Sequence, residues 1–464
     1  MDLFPSEVPI TTASRHSTSA PGGYNRPGRS RPLGGPKPVS YTAAGVFAST
    51  DSRRDDARVA LIHDFLLDMR GGERVFTRLC DIWPQADIFT AVYDEEGTEG
   101  RFASRRVHTS FLQRLRPSAR NFRAFLPLYP AAIESLDLSG YDLVVSSSSA
   151  WAHAVLCDDE AVHVSYCHNP FRYAWNDREQ TLARSRNPVT RAFLRGAFSR
   201  WRHWDRTAAQ RTDRYVANSR TTQERLQTYF GRESNIVYPP VDTRRFTPGT
   251  VGDHYVIISE LMPHKRIDIA VAAFNRLRLP LIVIGDGPEA GRLSQAAGRT
   301  IQFAGRIPDR EVEQLVSSAR ALIVTAVEEF GIVSVESQAA GRPVIARRGG
   351  GALETIVDGI TGCFWAGGPE SLAKTVLSFD DEAVDPAACM QSAARFDIRH
   401  FTTGMLAEVQ AAIERRGGRP ATGRSPLPST RIVRRVSRTP IKRSPSASWA
   451  GASRLATRRP TPAA

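Results

Sequence analysis

The chain has 464 residues, 41% of them apolar and 24% charged, which is enough for two or three domains with cores of their own. No stretch approaches the roughly 20 consecutive apolar residues of a membrane-spanning helix, which argues against a helical span. Of the formal charge of +14, residues 417–464 contribute +11 and residues 1–57 contribute +2, leaving +1 on residues 58–416, a nearly neutral body unlike a nucleic-acid groove.

Residues 1–57 run through Ser, Thr, Pro and Gly, Pro21 to Pro38 included, without an apolar core after a charged start, so a disordered leader is expected there rather than a secretory signal. Order begins at Arg58. Val59-Ala60-Leu61-Ile62 is a short apolar run of the kind a buried parallel strand shows. Arg70-Gly71-Gly72-Glu73-Arg74 then reads as a glycine loop, and Val75, Phe76 and Leu79 follow it at helical spacing.

Residues 105–126 interleave Arg105, Arg106, Arg114, Arg116, Arg120 and Arg123 with Phe111, Leu112, Leu115, Phe122, Phe125 and Leu126. Residues 191–214 do likewise with Phe193, Leu194, Phe198, Trp201 and Trp204. Each reads as an amphipathic helix, packing its aromatics inward or lying on an anionic membrane surface. Strands are expected over 143–145, 163–167 and 214–217, the last followed by Asn218 or Ser219 capping a helix over 221–229.

The paired prolines of Tyr238-Pro239-Pro240-Val241-Asp242 favour an extended connector, after which the strand and helix grammar restarts at Tyr255-Val256-Ile257-Ile258-Ser259 with a helix over 267–277. Further strands are expected over 281–284, 301–303, 321–325 and 343–346, with a helix over 309–318. Such alternation predicts an α/β chain of two doubly wound parallel sheets, with ligands outside the carboxyl ends of the strands and a cleft between facing domains. Residues 417–464, with Arg431, Arg434, Arg435, Arg438, Lys442 and Arg443 among Ser, Thr and Pro, are expected to form a disordered basic tail. Cys80, Cys157, Cys167, Cys363 and Cys389 form no CxxC pair and no zinc-type spacing, which fits a reducing cytoplasm and predicts no metal.

The most informative segment joins Glu328-Glu329-Phe330-Gly331-Ile332 to Val333-Ser334-Val335-Glu336 and runs on to Gly341-Arg342-Pro343-Val344. Glu328 lies in a loop after a strand and Glu336 lies inside the following helix. Each carboxylate can accept two hydroxyl hydrogen bonds, from a sugar and from a ribose, while the glycine admits a ligand to the backbone and the helix N-terminus favours a phosphate. A bare pair of glutamates at that spacing is as easily a loop acid and a surface acid, and the surrounding residues decide. Gly285-Asp286-Gly287-Pro288 with Gly291 is similar to a dinucleotide loop, but the proline and the spacing to Gly291 do not fit one. His63-Asp64 looks like a dyad, for which a structural or acceptor-side role is expected.

Over residues 58–416 the sequence resembles the family-4 glycosyltransferases, retaining enzymes of the GT-B fold. The resemblance rests on the EX7E element from Glu328 to Glu336, on Arg70-Gly71-Gly72-Glu73-Arg74, on Ile284-Gly285-Asp286-Gly287-Pro288-Glu289, on Phe303-Ala304-Gly305-Arg306 and on Gly349-Gly350-Gly351-Ala352-Leu353-Glu354. The segments Tyr166-Cys167-His168-Asn169-Pro170-Phe171-Arg172-Tyr173 and Met262-Pro263-His264-Lys265-Arg266-Ile267-Asp268 look most like the bacterial branch of mannosyltransferases that assemble polysaccharides and lipid-linked oligosaccharides.

The resemblance implies two Rossmann-like domains facing across a cleft, an acceptor-side domain over 58–243 and a nucleotide-sugar domain over 244–397, with a final helix over 398–416 crossing back. It implies a donor, best GDP-mannose and otherwise a UDP-hexose, a lipid-linked or saccharide acceptor, and a cytoplasmic protein that can sit peripherally at the inner membrane face. No cofactor and no specific nucleic acid are expected. No two Asp residues are separated by one residue, so the DxD metal element of the other large glycosyltransferase fold is missing and a metal-independent reaction is expected.

By matching motifs, Glu336 holds the ribose, Glu328 the sugar hydroxyls, and Lys265 neutralises the leaving diphosphate, helped by backbone amides of Gly71, Gly72, Phe330, Gly331 and Ile332. The loop Gly305-Arg306-Ile307 receives the base, and His168 orients the reacting sugar. Many relatives carry an Arg where this sequence has Glu260, which leaves Arg266, Arg347 or Arg348 to supply a second cation, or Lys265 to act alone. An inactive body that serves as a basic-tailed binding protein is the reading from a different class.

Overall fold

The computed structural model describes residues 57–417 apart from 120 and 186, so the leader and the tail lie outside the described residues. The first sheet has seven strands, β1 (Val59–His63), β2 (Asp87–Thr90), β3 (Val107–Thr109), β4 (Leu143–Ser148), β5 (Val162–Cys167), β6 (Arg214–Ala217) and β7 (Ser234–Ile236), in the order β3-β2-β1-β4-β5-β6-β7. The second has six, β8 (Tyr255–Ile258), β9 (Leu281–Ile284), β10 (Ile301–Gly305), β11 (Leu322–Val324), β12 (Val344–Arg347) and β13 (Gly362–Trp365), in the order β10-β9-β8-β11-β12-β13. Every pairing in both sheets is parallel. The central strands β1 and β4 begin with apolar residues and are buried along their whole length, because helices cover both faces.

In each sheet the strand order reverses at one point, between β1 and β4 and between β8 and β11. Helices leaving the two strands turn to opposite faces there, so a crevice opens at the carboxyl ends. His63 faces Ser147 in register at the first reversal. The loops after β8 and β11, carrying Glu260, Lys265 and Glu328, meet at the second.

The helix Ile398–Gly417 sets Phe401, Met405, Val409 and Ala412 into one of the two cores of the first sheet, beside Val75, Leu79 and Val164. Two segments join the halves side by side, for Val241 N donates to Phe396 O at 3.0 Å and Ile398 N to Val241 O at 3.2 Å. Ile332 packs on the cores of both halves.

Two local expectations change. Gly71 and Gly72 are not a loop before a helix but the first turn of the helix Gly71–Ile82. Residues 105–126 are no helix: β3 and the 3-10 turns Phe111–Leu115 and Phe122–Leu128 divide them, the second holding Pro127. The other basic aromatic stretch is a helix, Pro188–Ala208, which buries Leu194 and Phe198 and leaves Val189 and Phe193 exposed. Among the described residues no helix is long and apolar enough to cross a membrane.

Candidate active site

The loop after β11 and the first turn of the helix Ile332–Ala339 form the second-half wall of the cleft. Gly331 stands at φ 86°, a left-handed conformation that turns the chain sharply into the helix. Its neighbour Phe330 points away from the cleft, stacked on Tyr238 at 5.6 Å and edge-on to Phe396 at 5.3 Å, so only its backbone is available to a ligand. The glycine run behind it is sterically required, since a Cβ on Gly351 would lie 2.2 Å from Phe330 Cα and one on Gly350 2.2 Å from Glu328 O.

Lys265 Nζ donates to Glu328 Oε1 at 2.7 Å, and Thr325 Oγ1 holds the Lys265 carbonyl at 2.6 Å. Glu336 lies half-buried on the next helix, and no hydrogen bond to its carboxylate forms among the described residues. Burial pushes that carboxyl above its ordinary value, against the pull of Arg74 and Arg245.

The first half faces this wall with the start of the helix Gly71–Ile82. A Cβ on Gly71 would touch Ile332 Cδ1 at 3.8 Å, so two helix N-termini approach each other from opposite halves. Their unpaired N–H groups and aligned dipoles favour an anion in the space between. A Cβ on Gly72 would sit 3.8 Å from His63 and 3.9 Å from His168, so the missing side chain opens room beside both rings. His168 follows β5, and its Nε2 shares a 2.8 Å hydrogen bond with Ser147 Oγ. Burial, and then His63, push the His168 ring down to about 3, so it is neutral near pH 7.

Asp64 has a structural task. Its two carboxylate oxygens accept from the backbone N–H groups of Ser149, Ala150, Trp151 and Ala152 at 2.6–3.0 Å, and so tie down the loop after β4. Gly285 and Gly287 are likewise structural, because a Cβ there would lie 2.0 Å from Ser259 O and 2.6 Å from Leu261 O.

Gly305 ends β10 at φ 67° and Ile307 packs on the second-half core. The Arg306 side chain between them reaches across the cleft to grip both Asp68 oxygens at 3.0 and 2.8 Å. Burial alone would raise the Asp68 carboxyl, but Arg306 and Arg70 hold it below its usual range. Glu260 faces Arg70 NH1 of the opposite half at 3.5 Å. Of the three arginines that could supply a second cation to the diphosphate, Arg266 is held by Asp268, Arg348 faces Asp358, and Arg347 lies over Trp365.

Sequence reasoning did not find Glu329. Its carboxylate crosses the cleft to Arg172 at 3.1 Å and Arg225 at 2.9 Å, and these two hold it below its ordinary value although burial works the other way. Glu329 and Arg172 both stand inside motifs without a role being evident there, but Arg225 carries no local signal, since only the fold brings it within reach.

Two family profiles match the chain, one described as Glycosyltransferase Family 4 over residues 69–245 and one as Glycosyl transferases group 1 over residues 250–395. The D-inositol 3-phosphate glycosyltransferase of Mycolicibacterium smegmatis is 28% identical over 251 residues, 46% of this chain and 57% of that protein. A GDP-mannose-dependent alpha-(1-6)-phosphatidylinositol monomannoside mannosyltransferase of the same organism is 31% identical over 212 residues, 38% of this chain and 55% of that protein. The chain thus spans a little over half the length of these relatives. Among solved structures, Anabaena Alr3699/HepE in complex with UDP superposes with a TM-score of 0.56 at 17% identity, covering 76% of this chain and all of that one. Sucrose-phosphate synthase from Thermosynechococcus elongatus gives 0.52 at 17% identity, over 78% and 97% of the two chains. At such identity these two likenesses establish the shared fold.

Proposed function

The chain belongs to the family-4 glycosyltransferases, with the two parallel-sheet domains of the GT-B fold, and from that premise we propose that it is a retaining hexosyltransferase moving mannose from GDP-mannose to a hydroxyl of a lipid-linked or saccharide acceptor. The observation that carries the reading is the 2.7 Å pair of Lys265 and Glu328 at the second sheet's reversal point, opposite two converging helix N-termini. Without substrate the two side chains satisfy each other. With a nucleotide sugar present, Glu328 accepts hydrogens from sugar hydroxyls, and Lys265 turns its charge to the diphosphate.

As the bond between the anomeric carbon and the diphosphate oxygen breaks, the acceptor oxygen takes its place and the acceptor hydroxyl gives its proton to the departing diphosphate oxygen. The charge that collects on the leaving diphosphate meets Lys265 and the N–H groups of Gly71, Gly72, Gly331 and Ile332, already oriented and therefore needing no reorganisation. Glu336, whose carboxylate has no hydrogen-bond partner among the described residues, takes the ribose hydroxyls, and the loop of Gly305, Arg306 and Ile307 takes the base, with Arg306 shared between the base and Asp68. His168 is too weak a base to pull a proton from an alcohol, and it orients the sugar instead.

Mannose and GDP are supported by the 31% identity to a GDP-mannose-dependent enzyme and by the motifs around His168 and Lys265. A cytoplasmic setting with peripheral contact at an anionic membrane is supported by Val189 and Phe193, exposed beside Arg191 and Arg195 on one helix. No metal and no cofactor is given a role.

The test is calorimetric titration of the full chain with GDP, UDP, GDP-mannose and UDP-glucose, with and without EDTA. GDP preference indifferent to EDTA is expected; UDP preference discards mannose, and no binding to any of the four favours an inactive body. Lys265→Ala should lower turnover on the order of 10²–10³, as loss of one preorganised donor at an oxyanion does. Glu328→Ala should mostly lower turnover as well, and unchanged turnover in Lys265→Ala removes the leaving-group assignment.

A further inference from the structure

We propose that Glu73, His63 and Ser147 form a positioning chain that fixes the tautomer of His168, so that this histidine presents a hydrogen-bond acceptor, Nδ1, to the cleft. The inference rests on the proposed function only in taking the group received there for a substrate hydroxyl.

The chain is built at the reversal point of the first sheet. Parallel register sets His63, the last residue of β1, beside Ser147 of β4, and β5 delivers His168 from the other side. His63, Glu73 and Ser147 are all buried. Ser147 Oγ lies 3.1 Å from His63 Nδ1 and 2.8 Å from His168 Nε2, and His63 Nε2 lies 3.6 Å from Glu73 Oε1. The second Glu73 oxygen accepts from Arg70 N at 3.1 Å, which anchors the carboxylate in the first turn of its helix. Stacking on Phe76 at 4.9 Å fixes the His63 ring, and edge contact with Tyr166 at 5.2 Å fixes that of His168. His168 Nδ1 has no hydrogen-bond partner among the described residues.

Proton counting gives the direction. A hydroxyl has one proton and two lone pairs, so between two ring nitrogens Ser147 donates to one and accepts from the other. The Glu73 carboxylate favours the N–H of His63 on Nε2, since a bare nitrogen there would face negative oxygen. With its proton on Nε2, His63 then offers its Nδ1 lone pair to the Ser147 proton. Ser147 oxygen in turn accepts from His168 Nε2–H, which leaves the His168 lone pair on Nδ1.

With the ring kept neutral by burial, that lone pair holds a hydroxyl without deprotonating it. An acceptor there rewards a sugar position that carries O–H and gives nothing to one that carries hydrogen or an ether oxygen. Glu73, His63 and Ser147 act through His168 and are positioning residues.

The test is a two-bond proton–nitrogen correlation spectrum of the full chain, labelled with ¹⁵N-histidine, at about pH 8, above the ordinary histidine range of about 6.5. His168 is identified by the signals missing in His168→Gln. The expected spectrum shows His168 protonated at Nε2.

His63→Phe keeps a ring against Phe76 but takes away the nitrogen, so the Ser147 proton turns to His168 and the proton of that ring moves to Nδ1. Ser147→Ala should give a mixture of tautomers. Both variants should lower turnover about tenfold, the worth of one hydrogen bond, with nucleoside diphosphate affinity changed less than about twofold. Wild-type protein protonated at Nδ1, or a tautomer unmoved in both variants, overturns the proposal. Absence of turnover by the wild type with every donor sinks the proposed function while leaving the spectrum a valid test of the chain.

Discussion

Glu329 and Glu336 lie on one short segment, and their surroundings push them in opposite directions. Two guanidiniums hold Glu329 below its ordinary value of 4.5, whereas burial holds Glu336 above it. The ion pairs of Glu329 therefore contribute fully above pH 4.5 and are lost as pH falls through the depressed value. For Glu336 the sign reverses: the folded state binds the extra proton, so the cost of its charge appears as pH rises through 4.5 and is complete above the raised value. Glu336→Gln should raise the melting temperature at neutral pH and weaken nucleoside diphosphate binding about tenfold or more, as expected for lost bonds to a charged acceptor. Thermal melts and calorimetry at pH 7.5 check both. An affinity equal to wild type would separate Glu336 from the ribose.

At the scale of elements, the turn of helix that begins at Gly71 trades stability for access. Gly72 has ordinary helical dihedrals, and a Cβ there would meet its neighbours at normal contact distance. Gly72→Ala should thus gain up to about 1 kcal/mol in helix propensity and show a higher melting temperature. It should also lose turnover, since the methyl occupies the space beside His63 and His168.

The positions of β8, β9 and the helix Ile267–Leu277 were legible in the sequence, because their apolar residues recur with the right period. β2, β3, β7 and β13 were not legible. None of them carries four consecutive apolar residues as β8 and β9 do, and β3 and β7 are barely buried, so no local pattern marks them. The site divides in the same way. Glu328, Glu336 and Lys265 stood in recognisable motifs, whereas Ser147 looked like one serine in a run and acquires its partners only through strand register. The stretch 105–126 had helical spacing, but Pro127 and the turns around it break the helix.

For the molecule as a whole, the two halves are tied across the cleft by charge. Asp68 with Arg306, Arg70 with Glu260, Arg74 with Asp309, and Glu329 with Arg172 and Arg225 all link residues of opposite halves. Glu354 adds a further tie by accepting from Arg220 N and the Tyr238 hydroxyl. Arg74 with Asp309 is exposed and is worth about 0–1 kcal/mol, whereas Glu329 is partly buried and joined to two partners. Glu329→Gln should open the cleft, seen as a larger radius of gyration in small-angle scattering and a several-fold higher KM for donor. Raising salt from about 0.1 M to 1 M shortens the screening length from about 10 to 3 Å and should move wild type part of the way. An unchanged radius in the variant would mean that packing at Ile332, not charge, holds the halves together.

The helix Ile398–Gly417 carries a further consequence, for the order in which the protein is made. The first half emerges early from the ribosome, yet Phe401, Met405, Val409 and Ala412 complete its core and are synthesised only after the whole second half. At about 5–20 residues per second, the strip they cover stays uncovered for about ten seconds or more. The nascent first half is therefore a natural client for a chaperone, and a truncation just before Ile398 should yield a second half with its sheet whole and a first half that aggregates.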